Sequence, residues 1–499
     1  MTKRRLLQYG VIAILAVFPT AVFAVNLYVD DDGCADSSNC QTAGSPCCTI
    51  NYAIGQGSSG DSMNIAAGTY YEDVNLIKEI DLLGAGRTQT IIDCSGASPV
   101  DHCIDANALS DAVTIQDLQV TGAGTGKAGI WVSPSAAACP VVTRIWANRN
   151  YVNGIDSRNC ANYTLDDVWA TQNGTSTNSG IQVIMHSSGT LQNSELAGGP
   201  MALVSTSTGD GIANIYQSHI SNGDGQYPPS LLAFNNIFAW GGPPAYIFGS
   251  PLYYNNMFTT NQLNLYNVVA PVFYNNMFYG AEGYALRRLL GANCGTFDYN
   301  SWYNNGGDIY LDQCSKGVNT NSDDPNFVKN YTGTVASLTE SGSNAHDFVT
   351  DINVSGSPWT AHQFMMGGYY FVPDDDTRHI WYIIDNDENT LSVARAETGY
   401  APSDYGVGAS DTFYITQYLR DDAWTGVDTA YDLSGTVDID IFANARPLGL
   451  GYDIGPMEDG PQDEGGSPVP EYSLLTLVIA FGLGLGAFGY LRKTTIDRF

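Results

Sequence analysis

An all-β solenoid, a chain wound into short strands that stack coil upon coil, follows from three features of these 499 residues. First, Phe234-Asn235-Asn236-Ile237-Phe238, Tyr254-Asn255-Asn256-Met257-Phe258 and Tyr274-Asn275-Asn276-Met277-Phe278 recur at intervals of 20 residues. Second, Gly129-Ile130-Trp131-Val132, Gly154-Ile155-Asp156-Ser157 and Gly180-Ile181-Gln182-Val183 form a separate series of alternating segments, each opened by glycine. Third, Gly and Asn turns separate the segments and no helical stretch lies between them, which excludes a helical repeat. Looser copies stand at Asp166-Asp167-Val168-Trp169, Asn193-Ser194-Glu195-Leu196, Gln217-Ser218-His219-Ile220 and Tyr299-Asn300-Ser301-Trp302, at gaps of 18 to 27 residues. In a parallel solenoid equivalent residues stack about 4.8 Å apart, so an Asn at one corner becomes a column whose amides bond to one another and to turn backbone.

Residues 1–24 read as a signal peptide: Lys3-Arg4-Arg5, an apolar stretch through Phe18, then a Val22-Phe23-Ala24 exit with small residues at the cleavage positions. Residues 25–330 hold the β-helix, roughly twelve coils standing about 60 Å tall. Residues 331–422 carry strands of their own, notably His379–Ile384 and Thr390–Val393 about a turn at Asp385–Asn389. Trp359, Trp381 and Tyr382 in that module read as core aromatics, with sugar stacking as the alternative. Residues 423–460 return to the β-helix region, 461–470 form a linker and 471–499 a tail. Within the tail, the uncharged residues Leu474–Leu491 cover roughly 27 Å as a helix. Arg492-Lys493 behind them obeys the positive-inside rule, so the tail reads as a C-terminal transmembrane helix. Both ends place the body outside the cytoplasm.

Asp and Glu number 51 against 20 Lys and Arg, a formal net charge of −31. Such a surface repels nucleic acid and other polyanions. Calcium is the one cofactor left open, at Asp30-Asp31-Asp32, Asp323-Asp324, Asp374-Asp375-Asp376 or Asp385-Asn386-Asp387-Glu388. None has EF-hand spacing, and these runs read first as solvated turns. The 10 cysteines suit an oxidising compartment. Candidate disulfides are Cys94 with Cys103, Cys139 with Cys160 and Cys294 with Cys314, with two more among Cys34, Cys40, Cys47 and Cys48. No histidine or cysteine spacing suits a metal centre.

The opening segments Leu27-Tyr28-Val29-Asp30, Cys48–Ile54, Gly60–Ile65, Gly68–Glu72 and Ile80–Gly84 resemble the first coils of pectate-lyase-like right-handed parallel β-helix proteins. Asp323–Phe327, Asp440–Pro447 and Asp453–Glu458 resemble the choice-of-anchor Q region, which closes many exported bacterial β-helices ahead of a sorting tail. That family joins the two parts within a few tens of residues; the much longer interval here marks 331–422 as an inserted small β module and 423–460 as the closing segment. Val469, Pro470, Glu471, Tyr472 and Ser473 resemble the PEP-CTERM sorting motif, which implies a membrane sorting protease. Tyr472 stands where that motif has a second proline, leaving a permanent anchor as the alternative to cleavage.

If Ile104, Ile130, Ile155 and Ile181 point inward, alternation sends Asp105, Trp131, Asp156 and Gln182 outward as one column, with Arg158 beside it. Trp131, Asp156 and Gln182 are the glycan-binding candidates, the indole by stacking and the others by bonding hydroxyls. Asp105, Asp156 and Arg158 are the catalytic candidates. Two coils separate the carboxylates by roughly 10 Å, slightly beyond the range of inverting glycosidases. Asn-Thr-Asp, Gly-His-Gly and Arg-Ile-Lys, expected of family polygalacturonases, are absent. Two functions remain: an exported, surface-anchored scaffold that binds or adheres to extracellular or cell-surface glycan, or an extracellular polysaccharide lyase or glycoside hydrolase.

Overall fold

The computed structural model describes residues 24–417 apart from short stretches, chiefly loops, and isolated positions as far as 456. The signal peptide, linker, sorting motif and expected transmembrane helix lie outside the described residues, as does nearly all of the closing segment. Among the described residues no helix is long and apolar enough to cross a membrane.

The body is all-β and wound as parallel coils. Among the described residues one sheet of 20 strands and another of 11 run its length, the second from Val74–Leu76 to Gly307–Tyr310. Each coil bends inside the larger sheet: Leu252–Tyr254 stacks on Val272–Tyr274, and after the bend Met257–Thr259 stacks on Met277–Tyr279. The short helix Ile50–Gln56 packs on the first coil, burying Ile50, Ala53 and Ile54. It is held by the Thr49 cap and by Glu72, which accepts from the Ile50 and Asn51 amides at 2.7 and 2.9 Å. Such a cap closes an apolar core that would otherwise meet water at the end of the stack.

The bend explains the doubled asparagines. Its first residue is left-handed in coil after coil: φ is 59° at Asp117, 50° at Arg144, 52° at Asp167, 49° at Asn193 and 54° to 59° at Asn235, Asn255, Asn275 and Tyr299. Asn and Asp tolerate this backbone best after glycine. The second residue builds the ladder. Asn236 Nδ2 donates to Asn256 Oδ1 at 2.9 Å, Asn256 to Asn276 at 3.0 Å and Asn276 to Asn300 at 3.1 Å. Upstream the same corner is filled by Leu118, Ile145 and Val168, then by Ser194 and Ser218, whose hydroxyls accept the amides of the preceding coil.

Inside the downstream coils aromatic rings stack in files. Phe238, Phe258, Phe278 and Trp302 follow at centroid spacings of 5.1, 5.1 and 4.1 Å, and Tyr253, Phe273 and Phe297 at 4.8 and 5.1 Å. The strands after the coils form a closed antiparallel barrel in the order Tyr331–Ser341, Val349–Val354, Thr390–Ala394, Trp381–Asn386, Tyr370–Pro373, Thr412–Thr416. Trp359, Trp381 and Tyr382 are all buried, which removes them as glycan platforms: a closed barrel this small needs large side chains to fill it. One flank packs Val349, Tyr370, Val372 and Tyr382 on the outward face of the β-helix at Ala197, Ile237, Met257 and Met277.

Cys94 pairs with Cys103 and Cys139 with Cys160. The N-terminal four resolve as Cys34–Cys48 and Cys40–Cys47. Cys294 is disulfide-bonded; its expected partner Cys314 lies outside the described residues.

Candidate functional site

The smaller sheet carries the stripe. Strand register runs Asn75, Asp105, Trp131, Asp156 in successive coils, all between inward-facing neighbours such as Ile104, Ile130 and Ile155. The next position is Ile184 rather than Gln182. The third glycine-led segment is displaced by two residues: Ile155 pairs with Val183, where the sequence series aligns it with Ile181. Gln182 is consequently buried at a second corner ladder. It accepts from Asn173 Nδ2 at 2.7 Å and donates to the carbonyl of Gly198. Gly154 makes room for this arrangement, since a Cβ there would lie 2.5 Å from the Gln182 carbonyl oxygen and 2.6 Å from Asn173 Nδ2.

Asp156 keeps its place in the column but is only 1 % exposed, with Asn153 Nδ2 donating to its Oδ2 at 3.0 Å. It is part of the wall, where the sequence suggests an open hydroxyl-binding carboxylate. Arg158 lies outside the described residues. Trp131 and Asp105 remain partly exposed, and around them stand groups that strand alternation alone does not bring in.

His102 lies flat against Trp131, ring centroids 5.1 Å apart and planes 12° from parallel. Its Nδ1 accepts from the Ala128 amide at 2.9 Å, which puts the hydrogen of the neutral ring on Nε2. Burial holds the imidazole below its ordinary pKa, and the nearby Lys127 ammonium pushes the same way. Lys127 Nζ reaches Asp101 Oδ1 at 2.5 Å, and its hydrogen bond holds that carboxyl below the usual range. Asp105 shifts upward, first by burial and then by repulsion from Asp101; its Oδ1 is buried without a hydrogen-bond partner.

Oδ1 is closed off from solvent and costs about 1–3 kcal/mol unpaired, so a ligand hydroxyl or ammonium meets the partly exposed remainder of the Asp105 carboxyl and not this oxygen. The cluster therefore offers an indole face fixed by an imidazole, the partly exposed carboxyl of Asp105 and a paired Lys127–Asp101 couple with no net charge. Lys127, two residues before the glycine of its strand, was the readable signal for this cluster in a chain so poor in basic residues. His102 was masked by lying just outside the alternating strand. Among the described residues no group of three His, Cys, Asp or Glu side chains could hold a metal ion.

No protein-family model matches the chain, and no curated protein matches it. Solved structures do. The complex of XylC with xylose covers 87% of this chain and 99% of its own, at a TM-score of 0.45 and 9% identity. Pectate lyase Pel9A covers 88% of this chain and 98% of its own, at 0.42 and 12%. The tailspike protein gp49 from Acinetobacter baumannii bacteriophage Fri1, a capsular polysaccharide depolymerase, covers 78% and 85%, at 0.32 and 9%. At these identities and scores the similarities carry no argument about activity.

Proposed function

We propose that the protein is an exported, surface-anchored right-handed β-helix that binds neutral extracellular glycan at the Trp131 cluster and holds it without cleaving it. The observation that carries this reading is the partly exposed indole of Trp131, stacked on His102, beside the partly exposed carboxyl of Asp105. Sugar rings present an apolar face to an aromatic ring and hydroxyls to such an acceptor. The cancelled charge of Lys127 and Asp101, together with the acidity of the chain, favours a neutral sugar over a uronate. Export and anchoring rest on the two termini; the PEP-CTERM-like and choice-of-anchor Q-like segments support a sorting protease and surface display.

Binding is preferred to hydrolysis because cleavage by paired carboxylates needs both in contact with substrate, and Asp156 is enclosed and bonded to Asn153. The enzyme alternative has one supporting observation, the upward shift of Asp105 expected of a general acid. A panel of neutral and acidic polysaccharides, scored for retention and for new reducing ends, decides between them. Retention without chain shortening, lost in Trp131→Ala and weakened in Asp105→Asn, is the expected result. Chain shortening abolished by Asp105→Asn would establish the enzyme instead.

A further inference from the structure

The outward face beyond the bend holds a partly exposed tryptophan, Trp146, outside the apolar patch that the barrel covers. Register there runs Gln119, Trp146, Trp169, Glu195 in successive coils, then His219, Ile237, Met257 and Met277. Ile237, Met257 and Met277 are apolar because the barrel sits on them. Trp169 packs at the edge of that covered patch, with the guanidinium of Arg87 over its ring at 3.6 Å. Trp146 lies one coil further out, beyond the apolar junction, and remains partly exposed. Its Nε1 donates to Thr171 Oγ1 at 3.0 Å, and its ring meets Trp169 edge-on, 6.0 Å away at 77°, so the indole is held in place.

Two ion pairs flank this shelf, and Asp166 beside them accepts from Asn193 Nδ2 at 2.7 Å. Arg87 bonds Asp167 at 2.8 Å, and Arg144 bonds both oxygens of Asp117, at 2.5 and 2.7 Å. Gln119 and Asn148 supply amides beside the indole, joined at 2.9 Å. An immobilised indole, amides beside it, and Arg87 and Arg144 each held by a carboxylate describe recognition of a neutral sugar ring, by stacking below and hydrogen bonds at the rim.

We propose that Trp146 is the platform of a second glycan-binding site, on the shelf where the barrel meets the β-helix, taking a neutral sugar unit of an extracellular polysaccharide. It is separate from the Trp131 cluster, which lies on the other sheet. Affinity electrophoresis of the whole protein through gels containing xylan, glucomannan, laminarin or hydroxyethylcellulose tests it. Trp146→Ala should weaken retention about tenfold on at least one polysaccharide, while Trp146→Phe keeps most of it. Gln119→Arg, which crowds the open end of the shelf without entering the core, should weaken it with unchanged melting and so serves if Trp146→Ala misfolds. Trp131→Ala should leave the Trp146-dependent share in place. Unchanged retention in both folded Trp146→Ala and Gln119→Arg, or complete loss in Trp131→Ala alone, overturns the second site.

Discussion

Neighbouring identical residues with opposite energetic roles are the sharpest consequence of this fold. Asn256 is fully buried and engaged on every side: it accepts from the Asn236 amide at 3.0 Å and from Asn236 Nδ2 at 2.9 Å. It also donates to the Ala233 carbonyl at 2.9 Å and to Asn276 Oδ1 at 3.0 Å. Asn256→Ala leaves the Asn236 amide without its acceptor and removes the donor to Ala233. At about 1–3 kcal/mol per stranded buried group, the two together come to about 2–6 kcal/mol. Asn255 is equally buried, yet neither amide atom of its side chain has a partner, and its φ is 54°. Asn255→Gly gives up no hydrogen bond, removes two unpaired buried polar atoms and relieves the left-handed backbone, against lost packing and a more flexible unfolded chain. Its stability should equal or exceed that of the parent.

Denaturant unfolding gives the totals. Amide exchange gives the location, because a solenoid opens locally and its stability is nearly a sum over adjacent coils. In Asn256→Ala, exchange at Asn236 and at Met257, whose amide donates to the Asn236 carbonyl at 2.8 Å, should accelerate on the order of hundredfold. Asn255→Gly should leave both unchanged. Equal losses in the two variants, or the reverse order, would show that the two columns do not divide the work of bend and ladder.

Three further outcomes follow from the packing. Glu195 at the barrel junction accepts from Tyr382 and faces Arg87, Asp167 and Tyr370; burial drives its pKa well above the ordinary value, against the pull of Arg87. A carboxyl raised in the folded state stabilises most below its unfolded pKa, so junction stability should fall as pH rises from about 4.5 toward neutrality, and Glu195→Gln should flatten that slope in melting curves. Trp381→Ala empties the barrel core, where the indole is 2 % exposed, and should cost about 3–5 kcal/mol in barrel unfolding while leaving retention at Trp131 intact. Gly295→Ala would put a Cβ 1.7 Å from the Pro271 carbonyl oxygen, and should destabilise the β-helix by at least about 2 kcal/mol in denaturant unfolding.

The Asn pairs disclosed the coil because identical residues at equal intervals can only superimpose in a solenoid. They did not disclose which Asn bends and which bonds, since the difference lies in φ and not in the letter. The glycine-led series misaligned its third member for a related reason. Register there is set by where Gln182 meets Asn173, after a longer connection, and a matching Gly-Ile dipeptide carries no information about connection length. The barrel strands were readable from alternation, but closure requires Tyr331–Ser341 to pair with both Val349–Val354 and Thr412–Thr416, a non-local fact. The site was half legible: Trp131 and Asp105 stand where alternation puts them, while His102, Asp101 and Lys127 reach the stripe from outside the strands.

One signal could have placed the barrel in advance. Outward positions on an uncovered solenoid are polar, as at Gln119 and Thr143, yet Ile237, Met257 and Met277 are apolar at outward register positions in three successive coils. An apolar outer face demands a cover, and the barrel supplies one. The same coils hold the aromatic files inside and the Asn ladder at the bend, so they are bonded or packed on every side. Upstream coils have an aliphatic corner and partly exposed tryptophans instead. Packing divides the axis accordingly: the downstream coils carry most of the surface the barrel covers, and the upstream coils leave Trp131 partly exposed on one sheet and Trp146 on the other, where the two proposed glycan sites lie.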